Sequence, residues 1–335
     1  MDFVQTDEGY IALQTSEPTS THEPPDSTGD VCIRLVEVGA CGDVVGQITV
    51  GWDGSQHPHA FARSNDGYIV AGTTHREEDT NDRQSGFVAE ISPGGDVQWC
   101  IEAGSRLQDV VTVLSGEYVA VGSGGDVNEP GPGENGLAVR FDAGGEVDSV
   151  REYPRERPNI NGQRFYSVAP MEDGGVVAAG QQSRGIWVLA VSPTGGERWS
   201  AGLEVDEGQI RDIVRTTDGG YALVGYAFFS EGGYGSGWGI GPFLWKLDGS
   251  GSTQWVTRFS DPPYARAVVE TEAGYAVTGE EFSVLGTTAQ GTPQWLVPRT
   301  EGIGRTLLAR SDGSLVAGGF NRGSGELLEV PASKL

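Results

Sequence analysis

The chain has 335 residues, 47 of them acidic and 22 basic, for a formal net charge of −25 at pH 7, and it contains only two lysines, Lys246 and Lys334. A surface of that sign offers no basic stripe to a phosphate backbone, so nucleic acid is excluded as a partner class. No apolar run is long enough to cross a bilayer as a helix, which excludes membrane insertion by that route.

In chain order one phrase returns seven times: a short apolar strand, a tight turn, Gly-Tyr with apolar and small residues and a closing glycine, a second apolar run, a Gly-rich turn and often Trp. The first copy, Glu8-Gly9-Tyr10-Ile11-Ala12-Leu13, is degenerate. Asp66-Gly67-Tyr68-Ile69-Val70-Ala71-Gly72, Glu117-Tyr118-Val119-Ala120-Val121-Gly122 and Gly175-Val176-Val177-Ala178-Ala179-Gly180 follow. The fullest is Asp218-Gly219-Gly220-Tyr221-Ala222-Leu223-Val224-Gly225, continued by Phe243-Leu244-Trp245-Lys246-Leu247, Asp248-Gly249-Ser250-Gly251 and Trp255. Gly274-Tyr275-Ala276-Val277-Thr278-Gly279 and the degenerate Gly313-Ser314-Leu315-Val316-Ala317-Gly318 complete the series. From Gly72 to Gly318 successive closing glycines stand 39 to 58 residues apart, the period of a propeller blade of four short strands. The expectation is an all-β, seven-bladed β-propeller in one domain over 1–335, with blades near 1–50, 58–102, 107–153, 164–202, 209–258, 264–298 and 304–335.

With the strands of each blade called a to d from channel to rim, the a–b and c–d turns are short and rich in Asp and Gly, so that face is given no function. Every long b–c insertion lies on the other face: Thr15 to Asp30, Thr73 to Ser85, Ser123 to Asn135 and Tyr226 to Pro242, joined by the d–a segment from Arg151 to Gln163. Variable loops on a rigid scaffold carry recognition, and this face is expected to do so.

Counting back from the Gly-Tyr turns places Met1, His59, Gln108, Tyr166, Arg211, Arg266 and Arg305 at the first residue of strand a, at the channel mouth on the loop-bearing side. Three neighbouring arginines suit a carboxylate or sulfate through paired donors. The competing reading is that they close onto Asp206, Asp212, Asp261 or Glu301. His22, His57, His59 and His75 all fall in blades 1 and 2; His57, His59 and His75 are candidates for a shared metal, but their spacing is generic, and no metal or other cofactor is assigned, a bound cation aside. The acidic run Glu77-Glu78-Asp79-Thr80-Asn81-Asp82 matches no EF-hand loop. In the Tyr226 to Trp245 stretch, Phe229, Tyr234 and Trp238 are anchors for a protein or stacking platforms for sugars, or else a plug of the mouth. Trp99, Trp199, Trp255 and Trp295 share one position in strand d and are expected to pack between blades.

Cys32, Cys41 and Cys100 form no zinc or redox motif; Cys32 and Cys41 flank one hairpin, and bridged or idle thiols both fit. Met1-Asp2-Phe3-Val4-Gln5 carries neither the basic leader nor the apolar core of a signal peptide, and Ser333-Lys334-Leu335 reads as a chance match to a peroxisomal address. In blade 7 only Pro331 to Leu335 follow strand c. Because proline cannot donate to a ladder, that blade is expected to have three strands and to leave Leu327, Leu328, Glu329 and Val330 as an open edge for a partner.

The run DGGYALVG followed by FLWKLDGSGSTQW resembles quinoprotein-like (PQQ-like) propeller repeats of bacterial and haloarchaeal proteins, over essentially the whole chain. The acidity and scarcity of lysine likewise resemble haloarchaeal proteins, which tolerate self-repulsion because molar salt screens charge beyond about 3 Å. The resemblance implies architecture and no catalytic residue. Sialidase-like propellers also use an arginine triad, but their Ser-x-Asp-x-Gly-x-Thr-Trp box is absent here. The expected function is a noncatalytic recognition or assembly module, a structural or host-recognition part of a haloarchaeal virion made in the cytoplasm. Its expected partners are other proteins of the assembly or an acidic cell-surface glycan. The alternatives are a glycan-active propeller enzyme and an intracellular scaffold.

Overall fold

The structure, a computed structural model, describes residues 2–6, 9–16, 31–39, 43–52, 54–75, 84–125, 134–154, 162–182, 185–203, 205, 207–230, 238–299, 301–322 and 324–334. These residues are all-β apart from two short 3-10 turns, Leu114–Gly116 and Ala332–Lys334. They form seven antiparallel sheets, one per repeat, six of four strands and a last one of three. Blade 1 is Asp2–Gln5, Gly9–Ser16, Cys32–Gly39 and Val44–Val50; blade 2 is Ser55–Arg63, Tyr68–His75, Gln84–Ile91 and Val97–Glu102. Blade 3 is Arg106–Thr112, Tyr118–Gly124, Asn135–Phe141 and Val147–Tyr153; blade 4 is Gln163–Pro170, Val176–Gln182, Gly185–Val191 and Glu197–Leu203. Blade 5 is Glu207–Arg215, Tyr221–Ser230, Trp238–Leu247 and Thr253–Arg258; blade 6 is Ala265–Thr271, Gly274–Gly279, Val284–Thr288 and Pro293–Val297. Blade 7 is Ile303–Ala309, Leu315–Asn321 and Ser324–Val330. Contacts divide the chain into two units, Met1–Phe165 and Tyr166–Leu335.

The two middle strands of a blade are covered on both faces, so they read as continuous apolar runs rather than as alternation. Leu223, Val188, Phe243 and Trp245 are fully buried in one cluster of the second unit, and Ile69, Val88, Val139 and Phe141 in one of the first. Fourth strands alternate exposed and half-buried residues, as Val97–Glu102 and Thr253–Arg258 show, and so belong to the rim.

Blades 1 and 2, 2 and 3, 4 and 5, and 5 and 6 are latched together through glycines. In the c–d turns Gly95, Gly145, Gly251 and Gly291 have φ of +94°, +80°, +83° and +78°, a region that L side chains avoid. At each, the side chain of the preceding blade's fourth strand fills the space a Cβ would need: Ile48 at Gly95, Trp99 at Gly145, Trp199 at Gly251 and Trp255 at Gly291. The Trp99 indole also donates to the Ala143 carbonyl at 3.1 Å. The tyrosine of the Gly-Tyr phrase completes the latch, with Trp199 against Tyr221 at 6.1 Å and Trp255 against Tyr275 at 5.8 Å between ring centroids. Trp295 departs from this pattern. Blade 7 has no c–d turn and carries Leu315 where the tyrosine stands, and Trp295 lies over Gly286 of its own blade.

Strand a is bulged in blades 2, 3, 5, 6 and 7, with register shifts that leave His59, Gln108, Arg211, Arg266 and Arg305 as the extra residue. Opposite each bulge stands the glycine that closes the Gly-Tyr phrase. A Cβ on Gly72, Gly122, Gly225, Gly279 or Gly319 would lie within 3.0 Å of the carbonyl of His57, Arg106, Gln209, Tyr264 or Ile303. These five residues are thus interior bulges and not the first residues of their strands, because the strands begin two to four residues earlier or, in blade 6, one earlier. In blade 7 the matching glycine is Gly319, one residue beyond the expected Gly318.

The long b–c connections are also shorter than expected, because pairing continues into them. In blade 5 the predicted loop from Tyr226 to Pro242 is mostly ladder, running from Tyr226↔Pro242 out to Ser230↔Trp238. Strand b of blade 2 likewise extends to His75, into the predicted loop from Thr73. The remaining connections, the acidic run at 77–82, His22 and Cys41 lie outside the described residues. Cys32 is buried and Cys100 exposed.

A buried lysine ties strand c of blade 5 to its a–b turn. The Lys246 ammonium, 1 % exposed, donates to Asp218 at 3.0 Å and to the Leu247 carbonyl at 3.0 Å. Desolvation pulls the Asp218 carboxyl up, but hydrogen bonds from Thr216, Lys246 and the Gly220 N–H, with the lysine charge, outweigh it and hold the group at about 2. A carboxyl depressed on folding contributes stability above its ordinary range that is lost as pH falls toward the folded value. Between pH 4 and pH 2, Asp218→Asn should therefore remove part of the acid sensitivity, by about 1 kcal/mol or less because the carboxylate is half exposed, measured as the difference in urea midpoint at fixed salt.

Gly225→Ala should destabilise by about 1–3 kcal/mol, since backbone cannot yield as a side chain does. Gly241→Ala, with nothing within 4 Å of its Cβ position, should stay within about 0.5 kcal/mol of wild type in the same denaturation assay.

Candidate functional site

In the second unit the bulges of blades 5, 6 and 7 aim three arginines at one locality. A bulge re-aims the side chain of its extra residue, and here that residue is Arg211, Arg266 and Arg305 in turn. Their proximity registers electrostatically: the Arg305 guanidinium is pushed below its ordinary pKa by desolvation first and then by the charges of Arg266 and Arg211. Arg305 nonetheless keeps solvent access and remains protonated in the ordinary pH range.

The three are held differently. Arg211 lies between two tyrosines, 5.9 Å from the Tyr166 ring centroid and 5.6 Å from that of Tyr226. Those rings are fixed in turn: the Tyr166 hydroxyl donates to Gln181 at 3.3 Å and the Tyr226 hydroxyl to Gln209 at 2.8 Å, while Tyr226 meets Tyr264 edge-on at 5.0 Å. Arg305 sits over the Phe320 ring at 5.2 Å. Arg266 pairs with Glu280 at 3.0 Å, and its Nε is buried without a hydrogen-bond partner.

The carboxylates proposed from sequence as arginine partners are engaged elsewhere. Asp212 accepts from Ser167 at 3.3 Å and from the Val268 N–H at 2.8 Å, so it ties blades 4, 5 and 6 together. Glu301 pairs with Arg322 at 2.6 Å. Asp261 accepts from Ser260 at 3.0 Å, and Asp206 lies outside the described residues. Among the described residues, neither Arg211 nor Arg305 has a carboxylate partner; each rests on aromatic faces, which hold a cation and leave its edge donors available. Sequence reasoning missed Glu280, Tyr226 and Phe320, which sit on strand b or just beyond it; only a correct register across the bulge would have found them.

In the first unit the equivalent position is used structurally at His59. Its Nδ1–H donates to the Leu107 carbonyl at 2.7 Å across to the next blade. Burial, the largest cause, lowers the His59 pKa, which keeps the ring neutral and suits that bond. His57 is lowered by burial and then by the charge of His75. Among the described residues no three His, Cys, Asp or Glu side chains gather at ligand distance. Gln108 occupies the bulge of blade 3 and is half-buried. Of the aromatic anchors, Phe229 and Trp238 belong to the ladder of blade 5, and Tyr234 lies outside the described residues.

On the opposite, tight-turn side of the second unit is a concavity of about 1050 Å³ that the sequence did not announce, lined among others by Asp218, Lys246, Trp255, Glu270, Tyr275 and Asp312. Its carboxylates serve the turns: Glu270 accepts from the Thr217 N–H and hydroxyl at 2.7 and 3.0 Å, and Asp312 from the Ser314 N–H at 2.8 Å. Burial, then the charges of Glu270 and Asp218, raise the Tyr275 phenol, which stays protonated.

No family model matches the chain, and no curated protein matches it in sequence. Solved structures do match in shape. The WD40 β-propeller domain of Doa1 is 9 % identical, with a TM-score of 0.57 over 95 % of this chain and 88 % of that one. BamB from Moraxella catarrhalis is 13 % identical, with a TM-score of 0.55 over 95 % and 90 %. A protein from Lactobacillus plantarum is 15 % identical, with a TM-score of 0.55 over 96 % and 95 %. At such identities the likeness shows the fold alone: the chain is a β-propeller of seven blades. No helix among the described residues is long and apolar enough to cross a membrane.

Three like charges brought together with one carboxylate, Glu280, between them weaken the fold in dilute buffer. Arg305→Met should therefore raise the denaturation midpoint at low salt, by roughly a few tenths of a kcal/mol, and the gain should vanish in molar salt; calorimetry at two salt concentrations checks it.

Proposed function

We propose that this propeller is a noncatalytic recognition module that holds an anionic group of its partner, a carboxylate or sulfate, on Arg211, Arg266 and Arg305. The observation that carries the reading is the placement of three arginines on the bulges of successive blades, with Arg305 near enough to feel the charges of Arg266 and Arg211, and with Arg211 and Arg305 lacking a carboxylate partner among the described residues. Guanidinium groups resting on aromatic faces keep fixed donor edges, the arrangement that suits bidentate capture of planar or tetrahedral oxyanions. The acidic groups beside them serve other bonds, Asp212 across three blades and Glu280 on Arg266, which supports binding rather than acid–base chemistry. The anion is an acidic glycan or a carboxylate on another protein of a larger assembly. The charge of −25 with only two lysines supports a setting of high salt, and we place the module in the virion of a halophilic host's virus.

Chondroitin sulfate chains, with neutral dextran as control, provide the test by titration calorimetry. Arg211→Gln and Arg305→Gln should each weaken binding by about 1.5–3 kcal/mol, roughly ten- to a hundredfold, while Arg299→Gln, whose partner is Glu326, should leave it unchanged. Equal affinity in all three variants would refute the site, and shortening of the glycan during incubation would refute the noncatalytic reading. Recovery of the chain in purified particles tests the virion assignment.

A further inference from the structure

Blade 7 differs from its six sisters in one respect with consequences for association: its sheet stops at strand c, Ser324–Val330, which pairs only with Leu315–Asn321. Aligning the ladders by Tyr221↔Leu247 and Leu315↔Val330 puts Leu327 at the position of Leu244, Leu328 at that of Trp245 and Glu329 at that of Lys246. Leu244 and Trp245 are fully buried, as are Val88 and Ala89 in blade 2 and Val188 and Leu189 in blade 4. Leu327 and Leu328 are only half-buried. In blades 2, 4 and 5 a fourth strand pairs alongside these positions, and among the described residues blade 7 has none. Residues 331–334 do not return to this edge: Pro331 accepts from the Lys334 N–H at 2.9 Å in a 3-10 turn, and these four residues are exposed.

We propose that Leu327–Val330 is a docking edge completed in trans by an extended segment of another protein, added antiparallel as a fourth strand. The six fourth strands of this chain define the chemistry of the occupant. They run five to seven residues, and in four of them, in blades 2, 4, 5 and 6, a tryptophan lies opposite the position of Glu329. The segment is therefore a short strand with an aromatic residue opposite Glu329 and uncharged residues opposite Leu328 and Leu327. The carboxylates along the edge do not obstruct it, because Glu326 is paired with Arg299 and Glu329 with Arg310. A second copy fits less well. In an antiparallel pairing centred on Leu327 and Leu328, Glu326 of each chain faces Glu329 of the other, and like charges directly opposite destabilise a ladder. The edge is separate from the arginine site and does not depend on it.

The experiment uses the full chain with the blade 5 strand Thr253-Gln254-Trp255-Val256-Thr257-Arg258 appended after Leu335 through a flexible Gly/Ser linker, which presents it at an effective concentration of order millimolar. Alternate amides of Leu327–Val330 face Leu315–Asn321 and are protected by that pairing; those that face the open edge should exchange fast in the unmodified protein and at least about tenfold more slowly with the tail, and a tail whose two central residues are both proline should not slow them. Slow exchange in the unmodified protein at every concentration would mean that the chain covers its own edge, and would overturn the proposal. Slowing that rises with protein concentration alone would put a second copy there, and an unaltered rate with the tethered strand would show that the edge accepts none; either result overturns it as well.

Discussion

A carbonyl oxygen set where a Cβ would have to be is the constraint from which most of this structure follows. On strand a an extra residue pushes the backbone outward, and the carbonyl two residues earlier moves against strand b. Only glycine accepts it, which is why the Gly-Tyr phrase closes on Gly72, Gly122, Gly225 and Gly279. The same displacement turns the extra side chain out of the regular alternation. The repeat's most visible letter and its candidate site residues are thus two ends of one distortion. Where the extra residue is His59 the result is a bond to the neighbouring blade; where it is arginine, the result is a cationic group aimed at its neighbours.

The second recurring device acts at the rim. A left-handed glycine in the c–d turns of blades 2, 3, 5 and 6 leaves a hollow that the preceding blade's tryptophan or isoleucine fills, with the repeat tyrosine as its other wall in blades 5 and 6. The latch needs a partner blade with both features. Blade 7 supplies neither a c–d turn nor the tyrosine, so Trp295 folds onto Gly286 and packs with Leu328 in a local cluster. Loss of one turn at the end of the repeat array accordingly changes the packing of the blade before it. Among the described residues it also leaves strand c of blade 7 without a fourth strand beside it, with Leu327 and Leu328 half-buried.

Blade number, strand type and the three-stranded last blade were legible because glycine periodicity and continuous apolar runs are local signals. The identities of the bulged residues were legible too, by counting from the turns, but their placement as strand starts was not. A bulge shifts register without leaving a residue signature of its own, and the strand continues past it through residues such as Gly208 and Gln209 that read equally well as loop. The same ambiguity hid the blade 5 hairpin, where glycine-rich sequence around Phe229 and Trp238 is paired as ladder. Partners of the arginines were misjudged because proximity in sequence was used for proximity in space. Asp212 is next to Arg211 in the chain, yet its carboxylate accepts from Ser167 and the Val268 N–H instead.

The acidity of the chain sharpens what the arginine group means. With 47 carboxylates for 22 basic residues, a guanidinium has no shortage of partners, and Arg140, Arg198, Arg215, Arg299, Arg310 and Arg322 each close onto one. Arg211 and Arg305 rest instead on tyrosine and phenylalanine rings, and Arg305 feels the charges of both Arg211 and Arg266. An aromatic face holds the cation about as firmly as an exposed carboxylate does, roughly 0.5–1 kcal/mol, but it leaves the guanidinium donors unfilled. Cation–π support is therefore the choice that keeps charge and hydrogen-bonding capacity together for a ligand. The buried, unbonded Nε of Arg266 adds to that unspent capacity. In a protein whose surface repels anions almost everywhere, such a group marks the place where an oxyanion of a partner is attracted instead.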